Sequence, residues 1–180
     1  KQTGIVGCCA IDDYFNNTIK KHELTRKEKE EDRKNHIRYS KLNYEPVFFA
    51  YPKVDDIDSI VNQIKKEKST YDFVTEDNIQ HTLWTINDKE TKILIQELFR
   101  DKVPNIYVAD GHHRTAAAAL VGRELRDEAD GNATDGNHYN YFMAVLFPDN
   151  QLNIIDYNRV VKDLNGIEPS SLLERLSHKF

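Results

Sequence analysis

The residues best equipped for chemistry lie close together near the middle of the chain. An acid, a glycine, two imidazoles, a guanidinium and a hydroxyl occupy six consecutive positions: Asp110, Gly111, His112, His113, Arg114 and Thr115. The apolar run at 106–109 is typical of a buried strand, and the four alanines at 116–119 favour a helix. A strand that turns into a helix leaves free backbone N–H groups at the helix start, and these favour an anion such as phosphate.

Side chains in this central cluster can extend such a site. Arg114 offers a planar, permanently charged fork suited to phosphate or carboxylate. Asp110 or a histidine could accept a proton or contact a metal ion. The alternative is that Asp110 only caps the helix and the histidines are surface residues of its first turn. We favour the functional interpretation because ligands of open α/β sheets bind at the ends of strands.

A second cluster, KHELTR at 21–26, also joins an imidazole, a carboxylate and a guanidinium near a predicted helix start. Thr25 would open a capping box there, a local arrangement that requires no function. The capping box does not account for His22, Glu23 and Arg26. If both clusters form one site, their side chains should approach within hydrogen-bond or one-water reach.

The metal chemistry open to these residues is limited. His112 and His113 would point about 100° apart on a helix and rarely share one ion. The i, i+4 histidine spacing of zinc proteases is absent, and the two cysteines, Cys8 and Cys9, cannot by themselves form a zinc site. We therefore expect no zinc. A magnesium ion held by Asp110 or Glu23 together with substrate phosphates remains open.

Composition excludes several function classes. The chain of 180 residues fits one domain, and its net charge of −5 argues against a general nucleic-acid or membrane-surface binder. No apolar run reaches the length of a membrane span, and two cysteines fit a reducing cytoplasm. Because the chain begins at Lys1 and stops at Phe180 inside a predicted helix, we expect a fragment of a longer protein whose missing terminal portions could add to the site.

Strands and helices alternate in the middle of the chain, and hairpins are predicted at both ends. This order indicates an α/β fold, bordering on α+β, with a mixed sheet and packed helices. The first predicted hairpin joins 4–14 to 18–22, and the last joins 139–147 to 152–157. The charged helix at 26–42 is either a solvated flank or a cover over another polar surface. The remaining predicted strands are 46–51, a hairpin of 71–74 with 79–86, and 105–109. The remaining predicted helices are 55–67, about 88–99 and about 112–128, with a final helix whose first turn contains Pro169. Residues 129–137 are predicted to form an exposed loop.

The segments KHELTRKEKEEDR and YVADGHHRTAAA together resemble the domain of unknown function family 1015, described as ParB/sulfiredoxin-like. The resemblance also covers GIVGCCAIDDY, IQHTLWTI and LNIIDYNRVV, and so most of the chain. It implies a ParB/sulfiredoxin-like fold, in which such a turn binds nucleotide phosphates. Free-serine kinases of that superfamily place the turn beside an acid that activates the substrate hydroxyl. The turn lacks the reactive cysteine of sulfiredoxin, and the acidic chain lacks the basic helical domain of ParB.

Carried over to this sequence, the resemblance implies that residues 110–114 contact phosphates and magnesium, and it makes Glu23 the candidate base. We expect a purine or pyrimidine nucleotide as ligand and possible phosphotransfer to a small hydroxyl compound. The expected catalytic residues are Glu23, Asp110 and His113, with Asp110 also a metal contact. The alternatives are a non-catalytic sensor of a nucleotide or anionic metabolite, and a protein-interaction domain. The expected ligand-binding residues are His22, Arg26, Gly111, His112, His113, Arg114 and Thr115.

Overall fold

The structure, a computed structural model, describes residues 1–129, 136–156, 158 and 160–179. The strands are β1 (Ile5–Ala10), β2 (Ile19–Lys20), β3 (Val47–Tyr51), β4 (Tyr71–Val74), β5 (Gln80–Leu83), β6 (Ile106–Asp110) and β7 (Tyr141–Pro148). The helices are α1 (Asp12–Phe15), α2 (Lys27–Ser40), α3 (Asp55–Ile64), α4 (Lys89–Lys102), α5 (His112–Glu128) and α6 (Pro169–Ser177). Short 3₁₀ turns cover His138–Asn140 and Asp149–Gln151.

Five strands form a mixed sheet in the order β1-β7-β3-β6-β2. Strand β7 pairs antiparallel with β1 and parallel with β3, while β6 pairs antiparallel with β3 and parallel with β2. Strands β4 and β5 form a separate antiparallel hairpin, as predicted. The mixed α/β architecture predicted from the sequence is confirmed.

The core lies between the sheet and helix α5. Strands β3, β6 and β2 contribute the buried side chains of Phe49, Val108 and Ile19, respectively. The alanines at 116–119 are also buried, and their small side chains let α5 lie close against the sheet. The predicted strand and helix around the central cluster are therefore confirmed, and Ala118 and Ala119 of the helix belong to the core.

Both predicted terminal hairpins are wrong. Residues 12–15 form α1, which carries the chain away from β1, so β2 pairs in parallel with β6 through Ile19 and Ile106. At the other end no strand forms in 152–156, where Ile154 and Ile155 are exposed. Both edges of β7 are already occupied by β1 and β3, so no edge remains for a hairpin partner.

Helix α2 covers part of α5, the second of the two roles predicted for it. Arg38 makes a two-pronged contact with Glu124 of α5, with Nε and Nη2 at 2.9 and 2.8 Å from the carboxylate oxygens. The predicted capping box is wrong, because the Thr25 hydroxyl donates to Glu30 at 2.7 Å and α2 begins only at Lys27.

The predicted loop at 129–137 falls mostly outside the described residues. Within the described ranges, every helix is too short or too polar to cross a bilayer.

Candidate functional site

The central cluster forms a tight turn from β6 into α5. Gly111 is the N-cap of α5 with a φ of 94°, and as a glycine it has no side chain to cap the helix. The first intrahelical bond runs from the Thr115 amide to the Gly111 carbonyl at 2.8 Å. The amides of the three residues between them therefore point out of the helix start without intrahelical acceptors. The sequence predicted such a free helix start, an arrangement that generally favours an anion.

Sheet topology explains what surrounds this turn. Strand β2 runs parallel to β6 on one side, so the residues that follow each strand emerge at the same edge of the sheet. Strand β3 runs antiparallel on the other side, so its first residues lie at this edge as well. The turn after β6 therefore sits between residues 21–25 on one flank and residues 45–46 on the other.

A cleft opens on the β2 flank, with a volume of about 460 Å³. This volume lies within the range of small-molecule sites, which runs from about 300 to 1,000 Å³. Both predicted clusters contribute to its walls. The lining residues are Tyr14, Lys21, His22, Glu23, Leu24, Thr25, Val108, His112 and Thr115.

The two clusters meet in this cleft, as predicted. Glu23 Oε2 lies 3.6 Å from His112 Nδ1, slightly longer than a hydrogen bond. The ring of His22 stands edge-on against His112, with centroids 4.3 Å apart. One carboxylate and two imidazoles thus converge beside the start of α5.

His112 is a buried titratable group in the wall of the cleft. Its side chain is 6% exposed, and its Nε2 has no hydrogen-bond partner within the described part of the chain. Burial lowers the pKa of His112 and the neighbouring His22 lowers it further, against opposing effects of Glu23 and Asp110. The imidazole is therefore neutral at neutral pH and has one ring nitrogen able to accept a proton or hydrogen bond.

Arg114 points away from the cleft, to the β3 flank. Its Nη2 donates to Asp110 Oδ2 and its Nη1 to the Pro46 carbonyl, both at 2.7 Å. Glu45 Oε2 lies 3.5 Å from Nη1. The cavity on this side, between α2 and α5, has a volume of about 30 Å³, room for a water molecule but not for a nucleotide. The Arg114 guanidinium and the Asp110 carboxylate are therefore bound to the protein's own groups.

The structure does not bring every predicted residue to the cleft. His113 Nδ1 is buried without a partner among the described residues, and His113 does not line the cleft. Arg26 is exposed at the N-cap of α2 and does not line it either. Thr115 does, but its hydroxyl donates to the Gly111 carbonyl at 3.0 Å, which stabilises the turn.

Two lining residues with polar groups, Lys21 and Tyr14, were not singled out from the sequence. Lys21 directly precedes His22, so its place in the second cluster was a usable signal. Tyr14 follows β1 in the chain and gave no such signal. The Lys21 ammonium donates to the Tyr14 carbonyl at 3.0 Å and lies 3.9 Å from the centre of the Tyr14 ring.

The residues present do not build a metal centre of their own. Across the described ranges, no three His, Cys, Asp or Glu side chains are grouped to hold an ion. Glu23 is the carboxylate among the residues that line the cleft, and Asp110 Oδ2 is bound by Arg114.

Comparison with known proteins gives a family without an activity. The family described as "Protein of unknown function (DUF1015)" has a model that matches residues 1–180. No curated protein and no solved structure matches the chain.

Proposed function

Because the chain belongs to the DUF1015 family, whose description names no activity, we propose a function from the geometry of the cleft. We propose that the cleft binds a nucleotide or a related phosphate compound and transfers a phosphoryl group to a hydroxyl. The observation that carries the proposal is that the uncapped start of α5 borders a cleft in which Glu23 lies 3.6 Å from His112.

The start of α5 supports binding of the phosphates. Three outward amides and the positive end of the helix dipole favour an anion at this position. Phosphoryl transfer depends mostly on positioning and on stabilisation of charge, and fixed backbone donors supply both. A ParB/sulfiredoxin-like fold is part of the proposal, supported by the strand–turn–helix at this edge of the mixed sheet.

The reaction also needs a group that accepts the proton of the attacking hydroxyl. Glu23 is exposed at the cleft and is the acceptor we propose, with His112 beside it. Asp110 is less suitable because Arg114 binds its carboxylate and it does not line the cleft. Magnesium enters the proposal only as the ion that a nucleotide carries on its phosphates, since the described residues do not form a site for it.

The test is calorimetric titration of the full-length protein with ADP, ATP and CTP, with and without magnesium. Glu23→Gln should retain nucleotide affinity and lose turnover by about 10²-fold or more, as expected for a lost general base. Glu28→Gln, an exposed glutamate in the first turn of α2, is the matched control and should match wild type. Absence of nucleotide binding to wild type, or full turnover by Glu23→Gln, would contradict the proposal.

A sensor that binds the same ligand without turnover is the second candidate. The observation in its favour is the single carboxylate among the described lining residues, too far from His112 for a hydrogen bond. A product assay with serine and other small hydroxyl compounds separates the two functions. The interaction-domain alternative loses support, because the two clusters meet and α2 is bound to α5.

A further inference from the structure

A phosphate ligand in this cleft requires a cation to offset its charge and that of Glu23. The sequence nominated Arg114, the only guanidinium of the central cluster. In the structure Arg114 contacts the carboxylates of Asp110 and Glu45 and binds the Pro46 carbonyl. Its charge is offset by these groups, and it lies on the opposite flank of the turn. The cleft therefore has to draw its positive charge from another residue.

Lys21 is the lysine or arginine that lines the cleft. Its ammonium is held by the Tyr14 carbonyl at 3.0 Å and by the face of the Tyr14 ring at 3.9 Å. Neither contact offsets a full charge. Within the part of the chain that the structure describes, Lys21 takes part in no ion pair.

The two contacts also fix where the charge lies. A lysine side chain loses rotamer freedom when it is bound, and the ring and carbonyl of Tyr14 have already restrained this one. One of the three ammonium hydrogens is directed at the carbonyl, so two remain for a ligand. A lysine suits this task as a compact point charge that binds phosphate oxygens.

We propose that Lys21 is the phosphate-binding cation of the cleft and that Arg114 is a positioning residue that holds the Gly111 turn. The inference rests on the proposed function and gives it a ligand class, a nucleoside di- or triphosphate or a similar polyphosphate ester. One phosphate lies at the start of α5, and another contacts Lys21. Compounds with one phosphate or none engage the site less completely.

The test compares Lys21→Met, which removes the charge and keeps the aliphatic stem, with Lys20→Met as matched control. Lys20 is the adjacent residue and does not line the cleft. The probes are ADP and inorganic pyrophosphate, titrated by calorimetry into the full-length variants. Lys21→Met should weaken both about ten- to a hundredfold, the range for a lost hydrogen bond to a charged group. Lys20→Met should bind as wild type does, and Lys21→Arg should restore most of the affinity.

Salt and stability measurements separate the two roles. The affinity of wild type for ADP should fall more steeply with sodium chloride than that of Lys21→Met. Salt screens the attraction between the Lys21 ammonium and the phosphate, and the variant lacks that attraction. Arg114→Met should lower the urea midpoint of unfolding, whereas Lys21→Met should leave it nearly unchanged.

The outcomes distinguish failure of the Lys21 inference from failure of the proposed nucleotide binding. If ADP binds wild type and Lys21→Met equally, the inference is overturned and nucleotide binding stands. If Arg114→Met weakens ADP tenfold or more at unchanged stability, Arg114 is the ligand cation and the inference is overturned. If wild type binds neither ADP nor pyrophosphate, the proposed function and the inference fall together.

Discussion

Replacement of Gly111 by alanine tests the turn on which the site depends. The φ of 94° is a left-handed conformation that costs an alanine about 1–2 kcal/mol. An added Cβ would also lie 3.2 Å from Nε and Nη2 of Arg114, tighter than ordinary contact. The guanidinium has to move, and this loosens its bonds to Asp110 and the Pro46 carbonyl. Hydrogen bonds of a charged group contribute about 1.5–3 kcal/mol, and a small shift weakens them without abolishing them. We therefore expect a total loss of about 2–4 kcal/mol, including the conformational cost.

Gly166 provides a matched control for the backbone strain. It has a φ of 74°, and a Cβ built on it meets nothing within 4 Å. Gly166→Ala should therefore show the conformational cost alone, about 1–2 kcal/mol. The difference between the two variants measures the displacement of Arg114. In an Arg114→Met background this difference should shrink toward zero, since the guanidinium is no longer there to be displaced.

The assay is urea unfolding followed by circular dichroism, with the free energy of unfolding taken from the midpoint and slope. Equal losses for Gly111→Ala and Gly166→Ala would show that Arg114 adapts without cost. This result would refute the role of Arg114 in stabilising the turn. An undiminished difference in the Arg114→Met background would refute it as well. Weakened ADP binding by Gly111→Ala, measured where the variant is fully folded, would then connect the turn geometry with the ligand.

Three further predictions concern stability and reactivity. Gly122→Ala should destabilise by about 1–2 kcal/mol in urea unfolding, because its Cβ would overlap the Tyr139 backbone carbonyl, which outweighs a helix-propensity gain of about 1 kcal/mol. Burial raises the pKa of Cys9 to about 12, so this thiol should not react with iodoacetamide at neutral pH in the native protein. Intact mass should show one added group on the native chain, at the exposed Cys8, and two added groups after unfolding. Hydrogen bonds from Arg38 lower the pKa of Glu124, so this pair stabilises the fold above the ordinary glutamate pKa of 4.5 and loses its effect as the pH falls through the lowered value. Arg38→Met should cost about 1 kcal/mol at neutral pH and much less in acid, measured by urea midpoints at both.

The elements that could be predicted from the sequence are those set by local signals. The apolar run before Asp110 and the alanines after Arg114 specify strand and helix within a few residues, and the structure has both. The turn chemistry of Gly111 is local too, because few other residues adopt a left-handed φ readily. The same holds for Pro169, which begins α6 as predicted.

Strand pairing could not be predicted in this way, because it joins segments far apart in the sequence. The chain after Asn17, which has a φ of 65°, was expected to return onto β1. Ile19 instead pairs with Ile106, and a two-residue strand carries no pattern that names its partner. This parallel pairing is also what brings Glu23 to the start of α5. The meeting of the two clusters was therefore a prediction from chemistry, and its cause became visible only in the sheet order.

Closeness in sequence also differs from closeness in space within the central cluster. Successive residues of a helix are rotated by about 100°, so His112 and Arg114 point about 160° apart in the first turn of α5. The β2 flank receives His112, and the β3 flank receives Arg114, where Pro46 and Asp110 bind it. A sequence motif can thus contain both the groups that face a ligand and the group that holds the turn in place. On this reasoning the cation for the ligand has to come from a segment on the same flank as His112, and Lys21 satisfies that condition.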